Sequence, residues 1–253
     1  PNEGWARTVF GEPDVGRLWE AVATCVRLDE PDPVAAWQEH IGRLEARANG
    51  MNERRFDHLR FRGPGTDLTV GLHPQTLWQA ALDETNGGIK HVANMPTEEI
   101  FASPDPARTE GVVRSTRPLQ ISGTVVRDLE VRFEGGRAVE IGAASGAELM
   151  RAHADADEGA RQLGEVALVD GSSRVGQTGI VFFDTLFDEN ATCHIALGEG
   201  IPASYEGDAD GKVNSSSIHT DFMIGGREVE VDAVTAGGEV VPLLRDDVWQ
   251  LRA

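Results

Sequence analysis

The 253-residue sequence predicts an α+β fold, with a helical N-terminal segment followed by a mostly antiparallel sheet built from hairpins. Three observations predict it. Apolar residues recur at helical spacing through the first fifty positions. From His58 onward the spacing changes to alternation, the period of a half-buried strand. Paired glycines then separate alternating segments, as hairpin turns do.

The elements follow in order. Leu18, Val22, Cys25 and Val26 fall on one helical face. Asp32-Pro33 reads as an N-cap followed by proline at the first helical position, where a missing N–H is no loss. Val34, Trp37, Ile41 and Leu44 continue at helical spacing, and Asn49-Gly50 is the expected stop, which makes 1–52 a helical lead-in. His58 to Arg62 and Asp67 to His73 read as strands joined by Gly63-Pro64-Gly65. Val112 to Ser115 and Leu119 to Val126 follow. Leu129, Val131 and Phe133 alternate, Gly135-Gly136 turns the chain, and Val139 and Ile141 alternate back. Val229 to Val234, Gly237-Gly238 and Val240 to Leu244 give a second hairpin. Ala147 to His153 and Glu158 to Leu163 read as short helices between them. With no internal repeat or low-complexity linker, residues 1–253 are expected to form a single domain.

Composition narrows the function classes. There are 42 acidic and 23 basic residues, a net charge of −19, which would repel the phosphates of nucleic acid. No apolar stretch reaches the length of a membrane span, and no basic-then-apolar leader opens the chain. The expectation is a cytoplasmic protein with neither nucleic acid nor membrane as partner. Only Lys90 and Lys212 among the basic residues are lysines. Acid-rich, lysine-poor chains suit salt-rich cytoplasms, where ions screen the self-repulsion. An acidic protein from a high-GC genome has the same look. Cys25 and Cys193, without a CxxC, exclude a disulfide framework and a cysteine-rich zinc site, and both are expected to be buried and reduced.

Several short motifs are absent. There is no HExxH and no GxSxG. Gly207-Asp208-Ala209-Asp210-Gly211-Lys212 imitates a phosphate loop, but its glycines are one residue too close, Val213 replaces Ser/Thr, and two aspartates would repel the phosphate. As a calcium loop it fails at position twelve, where Ser217 stands in place of glutamate. It reads as a solvated acidic loop.

Three segments carry groups able to do chemistry. In Asn94-Met95-Pro96-Thr97-Glu98-Glu99-Ile100-Phe101 two adjacent carboxylates point to opposite sides of an extended chain, so one of them is free to face a site. Glu165 begins an apolar strand, and His194 lies in a run of small apolar residues. His219 and Asp221, two apart in a strand, share a face. Each has an ordinary structural alternative: a solvated acidic pair, a satisfied core histidine, a surface His–Asp pair. Together Glu99, Glu165, His194, His219 and Asp221 offer two imidazoles and three carboxylates. That donor set matches zinc, cobalt or manganese better than calcium or magnesium. Three carboxylates nearly neutralise two divalent ions, which together activate water and clamp an oxyanion.

The strings that hold these residues resemble the thermophilic metallo-aminopeptidases, the AmpS/AmpT/PepS family. They are residues 94–101, 157–169 (Asp-Glu-Gly-Ala-Arg-Gln-Leu-Gly-Glu-Val-Ala-Leu-Val), 182–191 (Phe-Phe-Asp-Thr-Leu-Phe-Asp-Glu-Asn-Ala) and 219–225 (His-Thr-Asp-Phe-Met-Ile-Gly). Residues 61–72 and 32–37 match as well, so the resemblance covers nearly the whole chain. It implies an aminopeptidase that removes N-terminal residues from peptides with a co-catalytic metal pair, zinc or cobalt, with manganese or magnesium as alternatives. The metals would lie in a cleft at strand ends, in a homodimer. Matched motif by motif, the resemblance makes Glu99, Glu165, His194, His219 and Asp221 the metal ligands; beside them Glu98 is a candidate general base or binder of the substrate's α-ammonium. It also implies an additional amino-terminal α/β domain, so that this chain corresponds to the carboxy-terminal, metal-carrying part. The family places a tyrosine seven residues after the site histidine. That position is Ile201 here, and Tyr205, the one tyrosine, is the candidate replacement. A metal-binding module without peptidase activity, and a purely structural or interaction domain, are the two rival readings.

The charge generates the first prediction. Between about 0.1 M and 1 M salt the Debye length falls from about 10 Å to about 3 Å, which removes most repulsion between neighbouring carboxylates. The melting temperature should therefore rise from low to molar KCl. A flat or falling curve would reject the salt-adapted reading.

Overall fold

The computed structural model describes residues 1–251. Three helices lead: α1 (Glu3–Phe10), α2 (Val15–Cys25) and α3 (Pro33–Arg54). Strands β1 (His58–Gly63), β2 (Thr66–Gly71), β3 (Leu82–Glu84), β4 (Lys90–Val92), β5 (Ile100–Ala102), β6 (Thr109–Arg114), β7 (Leu119–Ile121), β8 (Thr124–Val126), β9 (Glu130–Glu134) and β10 (Arg137–Gly142) follow. Then come α4 (Ala147–Ala154), β11 (Leu163–Leu168), α5 (Arg174–Gln177), α6 (Thr185–Glu189), β12 (His194–Gly198), β13 (His219–Met223), β14 (Glu230–Val234), β15 (Val240–Arg245) and β16 (Val248–Trp249). No described helix is long and apolar enough to cross a membrane.

Two antiparallel sheets form the frame. The larger has the order β10-β9-β6-β2-β1-β14-β15-β16, and the smaller β13-β12-β11-β5. One apolar cluster joins them: Phe61, Leu68, Val113 and Val131 from the larger sheet and Ile100, Val166, Ile195 and Phe222 from the smaller are all fully buried in it. The small sheet thus gives one face to the core and leaves the other for a site. A second cluster, around Leu18, Val22, Phe182 and Phe187, packs α1 and α2 beside α5 and α6.

Local chemistry explains the helix starts. The Asp14 and Asp32 carboxylates accept from the backbone N–H groups of Arg17 at 2.9 Å and Ala35 at 3.0 Å, each satisfying a donor that the first turn leaves free. Pro33 sits at the start of α3 as expected. The helix runs past Asn49-Gly50 to Arg54, and Arg55 ends it in the left-handed region. Packing explains the difference: Ala48 and Met51 are buried, which outweighs the roughly 1 kcal/mol cost of an interior glycine. Val34, expected on the buried face, is 67% exposed.

Four strand and helix expectations also change. Leu119 to Val126 is two short strands, because Ser122 and Gly123 both take positive φ and reverse the chain. In β10 a register shift between Ala138 and Glu140 turns Val139 outward and buries Ala138 and Ile141. The second strand of the first hairpin ends at Gly71, two residues short of His73. Glu158 to Leu163 is only a 3-10 turn at Gly159–Arg161, and Leu163 already belongs to β11. A Cβ on Gly159 would collide with the Ser215 carbonyl, so this turn is pressed against the chain that leads to β13.

An ion pair ties α3 to the end of β11. Arg47 lies 2.6 Å from Asp170, with both side chains about nine-tenths buried. Burial pushes the Asp170 carboxyl up, but the charge and hydrogen bond of Arg47, with Ser172, pull it below the usual range. Arg47→Met should destabilise the fold by about 3–5 kcal/mol, because a buried carboxylate loses its partner. Since the folded pKa is depressed, the pair's contribution is full above the unfolded carboxylate's pKa and is lost as pH falls through the lower folded value. Denaturant titrations at neutral and acid pH check both, and an acid-independent difference would contradict the assignment.

Candidate metal centre

The site grows from the outer face of the small sheet. Side chains two apart on a strand share a face, and cross-strand partners share it too. Glu165 pairs with Ala196, and Ala196 pairs with Asp221. His194 pairs with Ala167 on one side and Met223 on the other, and Ala167 pairs with Phe101. One face therefore carries Glu165, His194, His219 and Asp221, with Glu99 two residues before Phe101. His194 and His219 open their strands, Glu99 precedes β5, and Glu165 and Asp221 lie within theirs. Ala196 sits between the two carboxylates and leaves space above the sheet.

Glu165 is the common member. Its Oε1 lies 3.9 Å from His194 Nε2, and its Oε2 lies 3.3 Å from His219 Nε2. Glu99 is 2.9 Å from His194 Nε2, and Asp221 is 3.3 Å from His219 Nε2. Two triads result, Glu99–Glu165–His194 and Glu165–His219–Asp221, with ligand atoms in each within 4.8 Å of one another. A register shift between Leu163 and Glu165 aims the shared side chain. Gly164 permits it, because a Cβ there would run into the Glu199 carbonyl.

Backbone carbonyls orient both imidazoles. His219 Nδ1 donates to Glu199 O at 2.8 Å, and His194 Nδ1 contacts Thr192 O at 3.3 Å. Both Nε2 atoms are thereby directed at the carboxylates, the orientation of metal-ligating histidines. Asp157 holds the approach to His219 by accepting from Ser216 Oγ at 2.8 Å and from Ser217 N and Oγ at 2.6 Å. These bonds keep its carboxyl well below the usual range.

Electrostatics describe a site short of positive charge. Burial pushes the Glu165 carboxyl up, opposed by the His219 hydrogen bond and reinforced by the charge of Glu99. Burial pulls His194 down, but Glu99, by charge and hydrogen bond, and Asp221 raise it to about 10. His219 rises to about 11, because its bonds to Asp221 and Glu165 outweigh burial. Glu99 Oε2 is buried, and His194 Nε2, 2.9 Å away, is the cation that faces it. Convergent carboxylates and imidazoles turned Nε2-inward fit a divalent cation, whose binding would release the imidazole protons.

Comparisons with known proteins lead to a metal-dependent family. The family model for the thermophilic metalloproteases (M29) matches residues 1–249. The chain belongs to that family. It is 49% identical to "Aminopeptidase T" of Thermus aquaticus over 98% of this chain and 63% of that protein. It is 41% identical to "Aminopeptidase PepS" of Streptococcus thermophilus, over 97% of this chain and 62% of the relative. The solved structure "Wild-type AmpT from Thermus thermophilus" superposes with a TM-score of 0.92 at 45% identity, over 98% of this chain and 63% of that one. The chain thus spans a little under two thirds of the relatives it matches.

In this chain the five expected ligand residues converge, while the two expected catalytic residues stand elsewhere. Glu98 is turned into the interior. Arg27 Nη1 lies 2.8 Å from its Oε1 and Nη2 donates to its Oε2 at 2.9 Å. Its backbone N–H donates to Asn190 Oδ1 at 2.6 Å. His40 stays neutral, lowered to about 3 by burial and Arg27, and its Nε2–H donates to Thr97 O at 2.7 Å. With the chain extended, fixing Glu98 inward fixes Glu99 outward. Tyr205 is also apart: its ring stands edge-on to His73, and its hydroxyl donates to Gln75 Oε1 at 3.4 Å. The backbone explains this, since Thr76 and Tyr205 bridge the two segments.

Sequence reasoning missed Glu189. It ends α6 and lines the same cavity of about 260 Å³ as Glu99, Glu165, His194, His219 and Asp221. Burial and Asp221 push its carboxyl up to about 9, against the charge of His194. Its place five residues before His194, on a helix end, falls outside any strand alternation. The Glu-Asn-Ala-x-x-His string was the available signal.

The inward pair yields a test. Arg27→Met should weaken zinc binding by about 10–100-fold, the usual cost of removing a support behind a ligand. Calorimetric titration of the metal-free protein measures it. Unchanged affinity would show that Glu99 is held without the pair.

Proposed function

We propose that this chain is the metal-carrying part of a metallo-aminopeptidase, in which Glu99, Glu165, His194, His219 and Asp221 would hold two divalent ions, zinc or cobalt. The observation that carries the reading is the single carboxylate whose two oxygens face two different imidazoles, each completed by its own second carboxylate. Glu99 and His194 would hold one ion, and His219 and Asp221 the other. Family membership and the names of the relatives support aminopeptidase activity on peptides. The homodimer and the cytoplasmic location rest on family resemblance and on the acidic composition.

When bound, such a pair supplies an activated water and charge compensation for a tetrahedral oxyanion. The protein's own residues do the rest. The carbonyls of Thr192 and Glu199 keep the imidazole Nε2 atoms inward. The acidic cavity attracts the α-ammonium of a peptide's first residue. Glu98 is committed to Arg27, so Glu189 takes the remaining place, as a sixth ligand residue or as the acceptor of the water's proton. Glu189→Gln separates these roles: lost metal marks the donor, and metal kept with turnover lowered about 10²–10⁴-fold marks the proton acceptor.

The decisive experiment combines elemental analysis with a peptidase assay on zinc- and cobalt-loaded full-length protein. Two ions per chain and cleavage of free but not N-acetylated peptides are expected. Glu165→Gln should lose both ions together, whereas Asp221→Asn should release one first. Absence of retained metal, or equal cleavage of acetylated peptides, would sink the reading.

A further inference from the structure

A second cavity of about 170 Å³ adjoins the metal centre, and the two share Asn94, Glu99, Phe101 and Ile201. The geometry points to this recess as the pocket for the side chain of the substrate's first residue, and to an apolar side chain of about leucine size as its occupant. The assignment rests on the aminopeptidase reading above.

Position is the first argument. An aminopeptidase must hold the first residue with its carbonyl at the metals and its side chain in a neighbouring space. The recess begins where Glu99, a ligand candidate, and Phe101, on the same sheet face, meet Ile201. No other described cavity shares a ligand candidate with the centre.

The lining is the second argument. Phe101 and Ile201 are half-buried at the junction, Ala81 is buried, and Leu82 and Ala203 border the space. The alanines make room, and the larger residues give apolar surface for a side chain to leave water against. The frame is held by the chain: Gln79 and Phe101 exchange backbone hydrogen bonds of 2.8 and 3.1 Å, and Gln79 Nε2 donates to Ala203 O at 2.8 Å. The recess is therefore a wall between paired backbone segments.

Charge is the third argument. Glu99 stands at the inner end and Asp83 at the rim, where its carboxylate accepts from the Glu84 N–H at 2.7 Å. Neither arginine nor lysine lines the recess. An acidic side chain entering it would lose hydration near the Asp83 carboxylate, with no arginine or lysine in the lining to pair with it. Ile201 then acts as a specificity residue, giving branched apolar surface to both cavities at once.

The test compares leucyl, alanyl, glycyl and aspartyl p-nitroanilides on zinc-loaded full-length protein. Leucyl kcat/KM should exceed alanyl by at least about tenfold, since each added methylene in an apolar pocket counts for about that much. Aspartyl substrate should be the poorest. Ala203→Phe, at an exposed position that can hold the larger ring, should collapse the leucyl-to-alanyl ratio toward one, and Ile201→Ala should lower it. A ratio near one in the native protein, or one unmoved by Ala203→Phe, overturns the recess. Binding of leucine and alanine hydroxamates, measured by calorimetry, reads the same preference without turnover. If no substrate is cleaved the aminopeptidase reading falls, and tighter binding of the leucine compound, lost in Ala203→Phe, still decides for the recess; equal binding decides against it.

Discussion

The centre depends on one buried carboxylate placed between two imidazoles. Glu165 sends one oxygen toward His194 and the other toward His219. A buried carboxylate is unfavourable unless charge and hydrogen bonds compensate it, and Glu99, Glu189 and Asp221 crowd the same cavity. In the protein alone, the two imidazoles serve as the counter-charge, which is why their pKa values stand far above the ordinary histidine range. Divalent cations would do the same work with more charge in less space. The features around Glu165 follow from this: the register shift that aims it, the glycine that lets the backbone close behind it, and the alanine that separates it from Asp221.

Behind the sheet edge stands a layer that never touches the cavity. Arg27 follows α2, His40 and Arg43 come from α3, and Asn190 follows α6, and together they hold Thr97 and Glu98. Arg43 donates to His40 Nδ1 at 2.8 Å, so His40 must donate from Nε2, and the Thr97 carbonyl is the acceptor it finds. The helical lead-in is thus part of the site's support. The alternation of an extended chain transmits this order outward: whatever pins Glu98 in also aims Glu99 out.

Much of this was legible in the sequence where a simple period governs. Alternation put His219 and Asp221 on one face and made one of Glu98 and Glu99 face a site. It left open which one, because the answer lies with Arg27, 71 residues away in the chain. Glu189 was invisible to alternation, since it reaches the cavity from the end of a five-residue helix. The end of α3 and the strand split at Ser122-Gly123 depart from the sequence pattern for two different reasons. Buried Met51 outweighed a glycine in the first case, and two consecutive positive φ angles hid in an apolar run in the second. Tyr205 is the candidate as the chain's one tyrosine, but backbone pairing with Thr76 holds it beside His73 and Gln75.

The acidity of the chain and that of its site act together under the aminopeptidase reading. A net charge of −19 produces a field that draws in a cationic peptide N-terminus and repels acidic peptides. The cavity focuses that field, because its carboxylates sit against low-dielectric walls. Salt then works in opposite directions on fold and encounter. Screening relieves repulsion among surface carboxylates and stabilises the fold, while it shortens the range over which the α-ammonium is steered. Inside the cavity screening is weaker, since Glu99, Glu165, His194 and Asp221 are buried, so recognition at contact persists when steering has faded. An acidic enzyme that works in high salt therefore has to rely on short-range selection, through the buried carboxylates for the ammonium and the apolar recess beside Ile201 for the first side chain.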